Sequence, residues 1–474
     1  MVCIAVIAVV LRLRYLAQPM RYDEAVTYMY FVRRPWSDAL SLYLYPNNHL
    51  LHTLLAKASV SAFGNSPWTL RLPAFFAGAL VVPATYAVAR AIYGARAALF
   101  AAAIVAASGV LVLYSTNARG YSLIVLAFLL LALVAIRLWN AAAPSLWITF
   151  AIIAAAGMWA VPVMLYPLGA VALWIALTFL IEERRPELRR LVIALGVAGG
   201  LTLLAYAPVI SREGIAAITR NKFVASSNWF EFFEQLPSSI GDALVSWGLG
   251  IPPLVSLALL AFAVVALRRH AKLSRLPVGL ALAAYVWSSW LLVVNHRAPF
   301  PRVWLWLFPL VAMLAAAGVV AMLERRPRTA RFLELRAPAI AVAFAVGAAT
   351  SVVLSRAVLL TRDTGTFRDA EQASLLLSRT LRSGDLLLAP IPANAPLAYY
   401  LARLGVDSTH LTLDERLARR VIVVLDGAEP QPLDRIIEQS EVRDSTRFAG
   451  PQVLARLPYS TLLMFQRKDV SPNQ

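Results

Sequence analysis

Acidic side chains are scarce where this chain begins. Asp23, Glu24 and Asp38 are the only ones in the first 181 of 474 residues. Asp23 and Glu24 are adjacent and stand a few residues beyond an apolar run. A carboxylate at the edge of a low-dielectric region is costly to keep charged unless it is paired or used. Its most direct use is as a general base that takes a proton from an attacking hydroxyl. Glu24 has a structural alternative: it can cap the helix suggested by residues 25–31, or pair with Arg21.

Further along the same stretch come Tyr45-Pro46-Asn47-Asn48-His49 and then Leu50-Leu51-His52. Pro46 and the two asparagines read as a turn, with Asn48 as a candidate helix cap. His49 and His52 are three apart and share a helical face. A divalent metal there would need at least a third ligand, from Asp23 or Glu24. The plainer reading is an interfacial histidine bonded to a neighbour. The cations with chemical potential are Lys57, Arg119, Arg297 and Arg302. Arg119 lies between Asn117 and Gly120, just before Tyr121. Arg297 and Arg302 flank Ala298-Pro299-Phe300-Pro301, whose prolines hold a rigid turn. Such arginines suit either phosphate binding or lipid headgroups.

The elements that must position these residues are membrane spans. Sixty per cent of the chain is hydrophobic and 15% charged, with a mean hydropathy of +0.67, against about 25% charged in globular chains. Apolar runs near 2–17, 71–90, 97–114, 121–137, 146–161, 163–181, 191–210, 249–267, 277–294, 303–323 and 337–357 predict eleven spans. In the first, Arg12 and Arg14 must snorkel or face the bundle. No basic leader or small-residue cleavage site marks a cleaved signal, and the lack of residues before the run suggests that the natural start lies upstream.

The loops give the orientation. One set, from Arg90 to Arg336, carries sixteen basic residues; the opposite short connections carry Arg119, Arg297 and Arg302. The basic set is expected in the cytoplasm. Loops 18–70 and 211–248 and the whole tail then face outward, with the spans in a cytoplasmic, or inner, membrane. Of the net charge of +18, residues 1–362 carry +19 and the tail −1, so the excess is topology signal and argues for no nucleic-acid partner. The single Cys3 excludes an internal disulfide and a cysteine metal cluster. Within 211–248, Arg212, Arg220 and Lys222 precede an aromatic cluster from Asn228 to Glu234 that reads as interfacial.

From 363 onward the composition becomes globular. Strands are expected at 384–389, 421–425 and 461–465 and helices at 395–404 and 433–439, which makes a small α/β domain. It has no phosphate-binding glycine loop, since Asp426-Gly427-Ala428 is too short. Tyr399-Tyr400 reads as core packing or as a carbohydrate-stacking pair. The domain division expected is 1–362 and 363–474.

An Asp-Glu pair after the first span, Asn48-His49 later in the loop, Arg71-Leu72-Pro73-Ala74 opening the second span and Tyr114-Ser115-Thr116-Asn117-Ala118-Arg119-Gly120-Tyr121 occur in one order. Together they resemble the GT-C membrane glycosyltransferases, in the protein-mannosyltransferase and aminoarabinose-transferase branch. The resemblance implies a polytopic all-α membrane protein of about eleven helices with a small extracytoplasmic α/β domain. It implies a polyprenyl-phosphate-sugar donor, a glycan, lipid or protein acceptor, and Asp23 as catalytic base with Glu24 beside it. It places Arg119 and Tyr121 near the donor or the Asp loop. For contacts to the lipid phosphate the first loop offers Lys57, Arg33 and Arg34. A divalent metal at His49 and His52 is the one cofactor candidate.

The chemistry fits that implication. A phosphate leaving group needs cations rather than an acid, and the acceptor hydroxyl needs one base. Adjacent carboxylates are ill placed to flank one bond from opposite faces, so inversion is expected. The competing readings are a transporter or flippase of a lipid-linked sugar and a non-catalytic assembly subunit; no inverted repeat speaks for the former.

Overall fold

The computed structural model describes residues 1–43, 48–141, 143–219, 226–274, 276, 278–427 and 447–468. The turn expected at 45–47, Arg220, Lys222, Arg275 and the helix expected at 433–439 lie outside the described residues. The chain divides into two compact units. One comprises Met1–Ala17, Pro35–Phe63 and Trp68–Leu359; the other comprises Gln18–Arg34, Gly64–Pro67 and Leu360–Gln474.

The first unit is helical. Every apolar run read as a span falls on helix, from Val2–Leu16 through Pro67–Tyr93 and Tyr121–Asn140 to Pro327–Ser355. Among the described residues five helices are long and apolar enough to cross a membrane unaided, or six when Ala95–Ala106 and Gly109–Ser115, bent by 61°, count as one. Pro253–Arg268 and Leu280–Asn295 have 16 residues each, about 24 Å at 1.5 Å per residue against a hydrocarbon core of about 30 Å.

The bend after Ala106 shows why Arg12 can stand inside an apolar helix. A broken helix strands backbone carbonyls that hydrocarbon cannot satisfy. The Arg12 guanidinium is fully buried. It donates to the Ala106 carbonyl at 3.1 Å, to Ser115 Oγ at 3.1 Å and to the Ala8 carbonyl at 3.0 Å. Gly78 makes room, because a Cβ there would collide with Ser115 Oγ. Arg14 is exposed. Small residues let other helices approach closely: a Cβ on Gly318 would collide with the Phe262 carbonyl oxygen.

The second unit carries a four-stranded sheet: β1 (Asp385–Leu388), β2 (Arg420–Asp426), β3 (Phe448–Arg456) and β4 (Ser460–Arg467), in the order β1-β2-β4-β3. β1 and β2 are parallel, Leu387 opposite Ile422; the other pairs are antiparallel. The parallel pair needs a crossover, which includes the helix Asn394–Arg403. Three strands and this helix match the sequence reading. β3 is an addition to it, because from Ala449 to Gln452 its residues are exposed and alternation fails there. Asp385 anchors the sheet by pairing with Arg420.

The segment 18–34 belongs to this unit. Tyr22–Thr27 is a short helix that runs on as Tyr28–Val32. Its first N–H groups have no partner within the helix. Tyr22 donates instead to the Gly365 carbonyl at 2.8 Å and Asp23 to the Thr364 carbonyl at 3.3 Å. Gly365 sits at φ +69°, and a Cβ there would meet Tyr22 Cβ at 2.6 Å; both facts require glycine.

Candidate active site

Asp23 and Glu24 occupy the first turn of the helix Tyr22–Thr27, and both are buried. Glu24 is committed to the backbone. Its carboxylate accepts the Arg21 N–H at 2.9 Å, the glutamate half of a capping box, which fixes a helix start. Arg21 in turn donates to Thr366 Oγ1 at 2.6 Å and to the Asp363 carbonyl at 3.0 Å. The Asp23 carbonyl accepts from Thr27 Oγ1 at 2.9 Å. The carboxylate pair thus stands on backbone fixed at both ends.

In the other unit the structure brings His49, Arg119, Tyr121 and Arg302 together. His49 stands at the start of the helix Leu50–Phe63. The loop before it is tied down by Asn48, whose Nδ2 donates to the Leu42 carbonyl at 2.6 Å and whose Oδ1 accepts from Thr53 Oγ1 at 2.7 Å. Arg119 lies in the turn between Gly109–Ser115 and Tyr121–Asn140. His49 Nδ1 accepts the Gly120 N–H at 2.8 Å, and His49 Nε2 lies 3.2 Å from Arg119 Nη2. The Tyr121 ring packs edge-on against His49 at 5.1 Å and Tyr114 at 5.4 Å. The Arg302 guanidinium lies 6.0 Å from the Tyr121 ring and 4.6 Å from Phe300.

This geometry fixes the protonation of His49. A neutral imidazole has one acceptor nitrogen, and Gly120 uses it at Nδ1. The proton therefore sits on Nε2, beside the Arg119 guanidinium, which is itself donor-only. Burial, with Arg119, His52 and Arg302 behind it, holds the imidazole well below its usual pKa. His52 is lowered to about 3 by burial and then Arg119, and neither of its ring nitrogens has a partner among the described residues. The resulting surface is rich in N–H donors and suits an anion.

The histidine pair gathers no third metal ligand among the described residues. No group of three His, Cys, Asp or Glu side chains able to hold a metal occurs among the described residues. His49 Nδ1 is already engaged, and a guanidinium beside Nε2 repels a dication. Lys57 sits further along the helix Leu50–Phe63, its ammonium 5.1 Å from the Trp36 ring. Arg297 is half-buried in the same turn as Arg302. That turn is packed against the helix Trp229–Trp247: Ser239 Oγ donates to the Pro299 carbonyl at 2.6 Å, and Trp229 meets His296 at 3.9 Å between ring centroids. Phe230 and Phe233 of that helix are exposed, as an interfacial helix requires.

Two participants carried little signal in the sequence. Gly120 matters through its N–H and its lack of a side chain, since a Cβ would meet His49 Nδ1 at 3.2 Å. Arg71 is fully buried and donates to the Leu16 carbonyl at 2.8 Å. The sequence marked it only as the first residue of Arg71-Leu72-Pro73-Ala74, with no sign of its partner.

Residues 47–211 match the family model of the dolichyl-phosphate-mannose-protein mannosyltransferases. That stretch contains His49, Lys57, Arg119 and Tyr121. Comparison with curated proteins gives no match. Among solved structures the chain is similar to ArnT from Cupriavidus metallidurans, both in the apo state and bound to undecaprenyl phosphate. In each case the TM-score is 0.63 and the identity 15%, over 98% of this chain and 97% of that one. The apolar helices make this chain a multi-pass membrane protein; its residues 47–211 match the mannosyltransferase family model, and over nearly its whole length it shares the fold of ArnT.

Proposed function

We propose that the protein transfers a sugar, with inversion, from a polyprenyl-phosphate donor to an acceptor hydroxyl on a glycan, lipid or protein at the outer face of the cytoplasmic membrane. The observation that supports this most is the donor surface formed by Arg119, the Nε2–H of His49 and Arg302. A phosphate monoester leaving group gains a negative charge as the glycosidic bond breaks, and fixed N–H donors stabilise charge that develops in the transition state. The binding of undecaprenyl phosphate by ArnT supports a lipid phosphate as the leaving group here.

Asp23 takes the acceptor proton as its oxygen attacks the anomeric carbon. The bond to phosphate oxygen breaks, and the lipid phosphate leaves with the electron pair. Glu24 holds the Asp23 turn through the Arg21 N–H. Lys57 and Arg297 are reserve cations for the phosphate or for headgroups. The orientation follows from the sixteen basic residues in the opposite loops.

The test is a transfer assay on purified protein with a panel of polyprenyl-phosphate sugars, with product stereochemistry read by NMR. The proposal expects one donor to react and the product anomer to be opposite to the donor. Retention, or transbilayer movement of the lipid without bond cleavage, would contradict it.

A further inference from the structure

His52 is fully buried, and neither of its ring nitrogens has a partner among the described residues. No step of the proposed transfer uses it. It nevertheless stands beside the anion surface. The Thr53 N–H donates to the His49 carbonyl at 2.8 Å, so the first helical turn begins at His49. His52, three residues on, shares its face. Burial and the same Arg119 that lies at His49 Nε2 keep the His52 ring neutral.

A buried polar atom left unpaired is costly, and folded proteins leave few of them. A neutral imidazole carries one N–H and one lone pair. An ionised phosphate oxygen can accept the N–H but has no hydrogen for the lone pair, and a hydrocarbon chain offers neither. A hydroxyl offers both. Resting on the transferase reading, we propose that His52 recognises a hydroxyl of the donor sugar, next to the groups that hold the donor's phosphate. The sugar is bonded to that phosphate, and three residues of helix rise about 4.5 Å, a span comparable with one pyranose ring. Such a contact sets specificity, because an analogue without the hydroxyl leaves the imidazole unpaired. A water in the same place would satisfy the ring but would be indifferent to the sugar.

The experiment uses the full chain in nanodiscs of phosphatidylcholine. The probes are undecaprenyl phosphate, the same lipid carrying mannose, glucose or arabinose, and the monodeoxy forms of whichever sugar binds. In the parent one monodeoxy form should bind more weakly than its hydroxylated counterpart, by about tenfold or more. In His52→Leu that discrimination should vanish, with the affinity for undecaprenyl phosphate unchanged. His52→Phe, which keeps the ring shape, gives the same reading should the leucine variant fail to fold. His52→Gln, which keeps a donor and an acceptor, should restore part of the discrimination. A merely structural histidine would lower the melting temperature of the variants and leave the discrimination alone, which overturns the assignment. So does a loss of affinity for undecaprenyl phosphate as large as that of Arg119→Gln, since His52 would then be a phosphate ligand. A parent that discriminates through His52 yet transfers nothing upholds the site and contradicts the transferase reading; transfer with the same discrimination in parent and variants does the reverse.

Discussion

The Gly120 N–H donates to His49 Nδ1 at 2.8 Å, and this one bond sets which nitrogen of a buried imidazole carries the proton. The turn backbone and the histidine can meet because residue 120 has no side chain. Gly120→Ala should push the ring away, with a stability loss of about 1–3 kcal/mol and weaker binding of undecaprenyl phosphate. Thermal unfolding and lipid titration of the purified variant check both; an unchanged affinity would detach the bond from anion binding.

Stability should depend on pH through the same region. His52 titrates at about 3 in the folded chain and near 6.5 when unfolded. Between those values the unfolded chain binds more protons, so stability rises with pH there and is complete above about 6.5. As pH falls below that point the loss from His52 alone is about 1.4 kcal/mol per unit; His49 acts in the same direction. Unfolding in detergent at pH 7.5, 6 and 5 should show it, with a shallower slope in His52→Leu. An equal slope in that variant would reject the assignment.

Arg12 should be structural. Arg12→Leu leaves the Ala106 carbonyl at the helix break without its guanidinium donor, a loss of about 1–3 kcal/mol for a buried polar group. Arg14→Leu, at an exposed position, should be nearly silent. The melting temperatures of the two variants in one detergent decide it.

The anion surface predicts an order of effects. Arg119→Gln and Arg302→Gln should weaken binding of undecaprenyl phosphate, each by about tenfold or more for a lost charged hydrogen bond; Arg297→Gln should do so less. Arg416→Gln, exposed in the C-terminal unit, should do nothing. Equal affinity in all four would reject a phosphate role for these arginines.

The helices were legible because apolar runs survive in the sequence whatever packs on them. Their lengths were less so: in residues 97–114 only Ser108-Gly109 signalled the break after Ala106, and the short helices look like ordinary spans until their ends are fixed. Asp23 was legible by scarcity. What holds it was not, since Tyr22 and Asp23 bond to Gly365 and Thr364 more than three hundred residues away. The meeting of Arg119 with His49 was legible only in part. Each stood out as polar in an apolar setting, but their contact depends on a glycine whose function is an N–H and an empty position.

The assignment of Asp23 as the base of the transfer stands or falls with Asp23→Asn. The amide keeps size and polarity but cannot accept the acceptor's proton. In the purified enzyme, with the donor that the parent uses, the account predicts unchanged donor binding and a fall in transfer rate of about 10²–10⁴-fold. Glu24→Gln should lose far less, because a neutral side-chain oxygen still accepts the Arg21 N–H. Transfer by Asp23→Asn at the parent's rate would contradict the account.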